Sequence, residues 1–322
     1  MQRLRVGLIG VGRQGSIHLE QLTQSSYYEF IGCYDNNADK LSRIADEYQV
    51  RSFPDADSLI ASVDVVSIAT PASSHYCYAE KALRKSKHVF IENPITEDIV
   101  EAERIVELAR EADVKVQIGH IERFNPVFRA IRNLDPQPMF IEAQRIAPFD
   151  GKRIRNSVVL DLMIHDIDLV LNLVKANIKY IHASGVSVFS PLADIVNARI
   201  EFDNGCVASL TASRASLNKM RRMQLFESSF YYSMDFIKRE AEHVYIEEQA
   251  IHGGIPVILD NEKKYVTSTL VEATEYDALK MQLESFALSI TENNRPEVTV
   301  DHGYKALDVA NIIIQKVNRN KN

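Results

Sequence analysis

The chain has 322 residues, 46% of them hydrophobic and 25% charged, which fits a soluble globular protein longer than one core needs. A net charge of −7, with only short basic clusters at Arg221-Arg222, Lys238-Arg239 and from Lys316, argues against a nucleic-acid surface. No stretch approaches the roughly 20 apolar residues of a membrane span. The three dispersed cysteines form no CxxC pair, so they argue against a disulfide frame or zinc site and for a cytoplasmic setting.

Residues 4–120 alternate short apolar runs (RVGLIG, EFIGCY, DVVSIA, HVFIE, VKVQIG) with amphipathic stretches. Strands alternating with helices predict right-handed βαβ units and a parallel sheet. The first run passes into Gly10, Gly12 and Gly15 in GxGxxG spacing, with Arg13 and Gln14 inside the motif. In this pattern the first glycine makes the tight turn and the second lets backbone approach a pyrophosphate. The third packs helix on strand, and the phosphates sit on the helix N-terminus. Asp35 ends the second strand, where an acid accepts from a ribose diol. The element reads as a dinucleotide site, and because Asp35 repels a 2′-phosphate, NAD is expected over NADP.

The next strand end, ATPASSHY, brings Thr70, Pro71 and His75 to the same edge of the sheet. Two readings stay open there: these residues line the cofactor, or Ser73 or Ser74 caps the following helix. The fourth strand stops at Glu92-Asn93-Pro94. Strand ends of this kind are where open α/β sheets hold ligands.

After residue 120 the texture changes, and we read two domains, 1–120 and 121–322. One apolar helix, 158–174, is followed by strand-like runs at 222–236, 242–247, 255–259 and 265–271. Asp203-Asn204-Gly205 marks a hairpin between two more. These predict a mostly antiparallel sheet, with amphipathic helices near 277–291 and 303–317.

Helix 158–174 carries Asp161, His165, Asp168 and Asn172 at helical spacing on one stripe, with Asp166 elsewhere. Buried polar groups need a reason. They can bond one another structurally, Asp161 and His165 can hold a metal, or His165 can relay an alcohol proton with Asp161 orienting it. We expect the last, and no metal. Before this helix, Lys152, Arg153 and Arg155 form a basic stretch, suited to an anionic substrate group or simply solvated.

Together, the GxGxxG domain, the Glu-x-Pro bend and the DxxxH helix resemble the Gfo/Idh/MocA oxidoreductases along essentially the whole chain. GHIERFNP (119–126), DLMIHDID (161–168) and TASRAS (211–216) are most similar to the branch acting on the 3-hydroxyl of UDP-N-acetylglucosamine and related UDP-sugars. The resemblance implies hydride transfer between NAD and a sugar hydroxyl, in a cleft between the two domains. It implies Glu92, Asn93 and Pro94 at the cofactor, and catalysis by His165, Asp161 and position 93. Substrate contacts are expected from Arg123, Asn125, Arg155, Asp161, His165 and Arg214. With an open sheet face to bury, it also implies a homodimer or homotetramer.

In such enzymes the bend is Glu-Lys-Pro; here it carries Asn93, which cannot take up a proton or supply a charge. Three readings remain. His165 is the sole acid–base group and Asn93 positions; the substrate is one that needs no lysine, such as an activated double bond; or the chain binds NAD without turnover.

Overall fold

The computed structural model describes residues 3–151, 157–250 and 253–319. The chain divides into two compact units. The first holds residues 1–121 and 277–308, and the second residues 122–276 and 309–322.

The first unit is a five-stranded parallel sheet in the order β2-β1-β3-β4-β5. Its strands are β1 (Leu4–Ile9), β2 (Tyr28–Tyr34), β3 (Val65–Ile68), β4 (His88–Glu92) and β5 (Val116–Gly119). Helices α1 (Arg13–Gln24), α2 (Ala38–Tyr48), α3 (Ala56–Ala61), α4 (His75–Arg84) and α5 (Ile99–Glu111) connect them. Strands β3 and β5 are buried along their whole length because both faces of a parallel sheet are covered, whereas β1 and β2 expose Arg5 and Glu29 near their starts. Leu19 of α1 and Leu41 and Ile44 of α2 pack with Leu8 and Cys33.

The second unit opens with α6 (Pro126–Arg132), β6 (Phe140–Pro148) and α7 (Ile164–Leu173). Strands β7 (Ile178–Val186), β8 (Ile195–Phe202), β9 (Val207–Ser216), β10 (Met220–Phe226) and β11 (Phe230–Asp235) follow. The last strands are β12 (Glu240–Glu247), β13 (Ile255–Leu259) and β14 (Glu262–Leu270). They form a nine-stranded sheet, β13-β14-β12-β11-β10-β6-β9-β8-β7. Every pairing is antiparallel except β6 with β9. The expected hairpin joins β8 to β9, with Gly205 at φ +89°, where a Cβ would be strained. The run 222–236 is two strands, β10 and β11, turning at residues 227–229.

The expectation of a single boundary near residue 120 needs correction. Helix α8 (Ala278–Thr291) belongs with the first unit, because Leu279, Leu283, Phe286 and Ala287 pack on Val6, Tyr28 and Phe90. The Tyr28 hydroxyl donates to the Leu283 carbonyl at 2.8 Å, closing a contact between residues distant in the chain. Helix α9 (Val300–Arg319) begins in the first unit and ends in the second.

Candidate functional site

The glycine loop is built as its spacing requires. Gly10 has φ +93°, and a Cβ on Gly15 would lie 1.9 Å from the Gly10 carbonyl oxygen, so α1 meets β1 backbone to backbone. A Cβ on Gly12 would meet only the Lys40 ammonium, at 3.5 Å, so that side of the loop is open. Helix α1 has Gly12 at its N-cap, no side-chain cap and no acid in its first turn. Its first amides are thus left for an anion. Beside them lies a cavity of about 470 Å³ whose lining includes Gly10, Gly12, Arg13, Asp35, Thr70 and Pro71. The residues present fit a dinucleotide.

Asp35 stands at the end of β2 as expected, and it is already engaged. Oδ2 accepts from the Val11 amide at 2.9 Å and from Lys40 at 3.1 Å, and Oδ1 accepts from the Asn37 amide at 3.0 Å. Burial pushes this carboxyl up, but the amide bonds and Lys40 outweigh it, and the group stays below the usual carboxylate range.

His75 does not line the cavity. It is buried, with Nδ1 2.8 Å from the Pro94 carbonyl and Nε2 2.9 Å from the Thr70 carbonyl, so it ties the β3 loop to the bend. Burial lowers its pKa. Neither Ser73 nor Ser74 caps α4 through a side-chain bond: the Ser74 hydroxyl lies instead 2.9 Å from both Thr70 Oγ1 and the Pro71 carbonyl oxygen.

At the bend, Glu92 Oε1 lies 2.6 Å from His18 Nε2 and 3.5 Å from the Gln14 amide nitrogen. Its Oε2 accepts from the Asn93 amide at 3.1 Å. Asn93 precedes a cis Pro94, and its Oδ1 is buried without a hydrogen-bond partner among the described residues. A buried acceptor left open is a place for a ligand donor.

In the second unit the apolar helix starts as a wide turn, Val159–Met163, closed by an Ile164 amide to Val159 carbonyl bond, before α7 proper. Wide turns of this kind recur at functional sites. Asp161 lies in this turn and is exposed, and His165, just after it, is half-buried. Asp168 is instead fully buried and paired with Arg123, at 2.6 and 2.7 Å. Asp166 pairs with Arg145 at 2.7 and 3.1 Å, and Arg145 also reaches Glu122 at 2.8 Å. Arg145 occupies an inward place on β6, continuing the row of Ile141 and Ala143. Burial raises the Glu122 carboxyl, but Arg145, with His165 and Arg221 contributing, brings it down to about 2.

These pairings change three expected roles. Arg123 is neutralised by Asp168. Arg214 is held by Asp194 at 3.1 Å, whose other oxygen also collects the amides of Val188, Phe189 and Ser190. Asn125 caps α6 at the Val127 amide and donates to Glu122. All three are engaged within the unit, a poor state for gripping a diphosphate. Arg155, with Lys152 and Arg153, lies outside the described residues. His18, Lys40, Glu122 and Arg145 went unread in the sequence; His18, three residues after Gly15, offered the one signal, a polar group on the face of α1 that must meet the sheet. Among the described residues no group of His, Cys, Asp or Glu is arranged to hold a metal ion.

A glycine-loop parallel sheet followed by a second α/β unit carrying an exposed Asp161 and a half-buried His165 in Asp-x-x-x-His spacing defines a dinucleotide-dependent oxidoreductase. Residues 4–120 match the oxidoreductase family with an NAD-binding Rossmann fold, and residues 115–228 match the GFO/IDH/MocA C-terminal domain. The chain belongs to the Gfo/Idh/MocA family. It is 36% identical to the UDP-N-acetylglucosamine 3-dehydrogenase of Acidithiobacillus ferrooxidans, over 90% of each chain. The crystal structure of that enzyme superposes with a TM-score of 0.89 over 99% of both chains, at 32% identity. The myo-inositol 2-dehydrogenase of Thermotoga maritima is 24% identical over 94% of this chain and 93% of its own. A scyllo-inositol dehydrogenase from Lactobacillus casei, solved with NAD(H) and scyllo-inositol, shares the fold at TM-score 0.80 and 20% identity, covering 99% of this chain and 98% of its own. No helix among the described residues is long and apolar enough to cross a membrane.

Proposed function

We propose that this chain is an NAD-dependent dehydrogenase acting on a secondary hydroxyl of a nucleotide sugar of the UDP-N-acetylhexosamine type. The observation that carries the chemistry is the sorting of polar groups around α7. Asp166 and Asp168 are buried in arginine pairs, whereas Asp161 is exposed and His165 half-buried. That sorting leaves Asp161 and His165 as the pair within reach of a substrate. NAD, when bound, supplies the hydride acceptor. His165 takes the hydroxyl proton at an imidazole nitrogen, and Asp161 orients the ring or the sugar. The neutral Asn93 orients through hydrogen bonds.

The substrate class rests on the similarity to the UDP-N-acetylglucosamine enzyme, which exceeds that to the inositol enzymes in identity. The counter-charge for a diphosphate then falls to Lys152, Arg153 and Arg155. NAD is preferred because Asp35 is ionised at the ribose end, although Lys40 tempers the repulsion of a 2′-phosphate. The outward face of the nine-stranded sheet, where the rings of Phe140, Phe226 and Tyr231 pack at tilted angles with centroids 5.1–6.0 Å apart, is the surface we assign to a homo-oligomer. Asn93 favours one second reading, a chain that binds NAD without turnover.

Thermal unfolding tests the substrate class. With NAD present, a UDP-sugar should raise the Tm, and free myo-inositol should not. Protection by inositol alone would move the chain to the polyol dehydrogenases.

A further inference from the structure

Glu92 is the hub of a polar chain that the proposed reaction does not use. His18, fully buried in α1, places Nδ1 3.1 Å from the Ser67 hydroxyl and Nε2 2.6 Å from Glu92 Oε1. Only one proton arrangement satisfies every partner with the imidazole neutral: Ser67 donates to Nδ1, and Nε2–H donates to the carboxylate. Ser67 is itself 1% exposed, so this serine–histidine–glutamate row has no access to a substrate and is not a nucleophile site. What it does is hold Glu92. The other carboxylate oxygen takes the Asn93 amide, and Gly119 packs so close that a Cβ there would sit 2.8 Å from it. Burial, the largest influence, raises the Glu92 carboxyl, but the bonds from His18 and the Asn93 amide, together with the nearby His18 and His75 rings, outweigh it; the net direction is down, so the group is an anion.

The strand order gives this anion a location relative to a ligand. Asp35 ends β2 at one edge of the sheet, and the amides of α1 follow β1 next to it. A dinucleotide with its adenosine ribose at Asp35 and its pyrophosphate on α1 runs its nicotinamide toward the ends of β3 and β4, where Glu92 stands. The oxidised nicotinamide ring carries a positive charge, and the reduced ring none. The residue that follows Glu92 in the chain, Asn93, brings no charge to offset the carboxylate.

We propose that the carboxylate of Glu92, fixed by Ser67 and His18, makes the site selective for the oxidised form of the dinucleotide. The bound couple then has a lowered potential, and the equilibrium on the protein lies further toward NAD⁺ and alcohol than in solution. This inference rests on the reading of the first unit as a dinucleotide site.

The test is the ratio of dissociation constants for NAD⁺ and NADH, from NADH fluorescence and competition by NAD⁺. Glu92→Gln keeps the shape and removes the charge. It should weaken NAD⁺ relative to NADH by about tenfold, equivalent to about 30 mV in the bound couple. Asn93→Lys leaves the Ser67–His18–Glu92 row in place and should move the ratio the same way, which keeps the inference testable if Glu92→Gln does not fold. Asp35→Ala, at the adenosine end, should weaken both forms equally. A ratio unmoved by Glu92→Gln, or by Asn93→Lys where the first variant fails, overturns the inference alone. Absence of binding by both forms overturns the dinucleotide reading beneath it.

Discussion

The glycine loop of the first unit and the polar helix of the second hold their functional groups by different means. The loop uses backbone: a positive φ at Gly10, an open side at Gly12 and a contact at Gly15 that excludes any Cβ. Helix α7 uses side chains, and its aspartates are sorted by arginines arriving from elsewhere in the chain. Backbone demands leave a spacing in the sequence, whereas side-chain sorting leaves almost none. The loop should therefore answer to local substitutions, and the helix to the removal of distant partners.

The largest effect should come from His165. His165→Ala should lower turnover by about 10²–10⁴-fold while NADH fluorescence titration gives an unchanged affinity. A parallel loss of NADH binding would break the division between the two units. Asn93→Lys should act in the opposite sense on turnover, raising it by supplying a cation that favours the alkoxide.

Next come the buried ion pairs. Arg123→Ala leaves Asp168 buried without this partner and should cost about 3–5 kcal/mol in urea unfolding. Replacing both by apolar residues of similar volume should recover most of it. If Arg123→Ala is mild instead, the pairing is not what sorts the helix.

Acid should reveal the same network. Glu122 is held at about 2, against about 4.5 unfolded, so its stabilisation is present above pH 4.5 and is lost as pH falls toward 2. The shift corresponds to about 3 kcal/mol. Unfolding measured across this window should be steeper in the native chain than in Glu122→Gln.

The smallest effects belong to the loop. Gly12→Ala should leave stability within about 0.5 kcal/mol, since its Cβ meets only a flexible lysine, yet lower NADH affinity by blocking pyrophosphate approach. Asp35→Ala should narrow an NADH-over-NADPH preference of about tenfold, or about 1.4 kcal/mol.

The same contrast explains what was legible in the sequence. Gly10, Gly12, Gly15 and Asp35 could be placed because their spacing is imposed within one βαβ unit. Arg123 and Arg214 were expected to contact substrate because their partners, Asp168 and Asp194, lie 45 and 20 residues away and no local pattern joins them. A regular helical period placed Asp161 and Asp168 on one stripe, but the wide turn at Val159–Met163 interrupts that period, and the two end with opposite exposure. Helix α8 was assigned to the second domain because sequence order says nothing about its return to Val6, Tyr28 and Phe90.

The measurement that bears most directly on the proposed function is turnover with UDP-N-acetylglucosamine and NAD, followed by absorbance of the reduced cofactor. The account predicts reduction of NAD that depends on the UDP-sugar and disappears in His165→Ala. Reduction with inositol but not with any UDP-sugar would contradict the substrate class. No reduction with either, in the native chain and in Asn93→Lys, would contradict the dehydrogenase itself and leave cofactor binding as the function to explain.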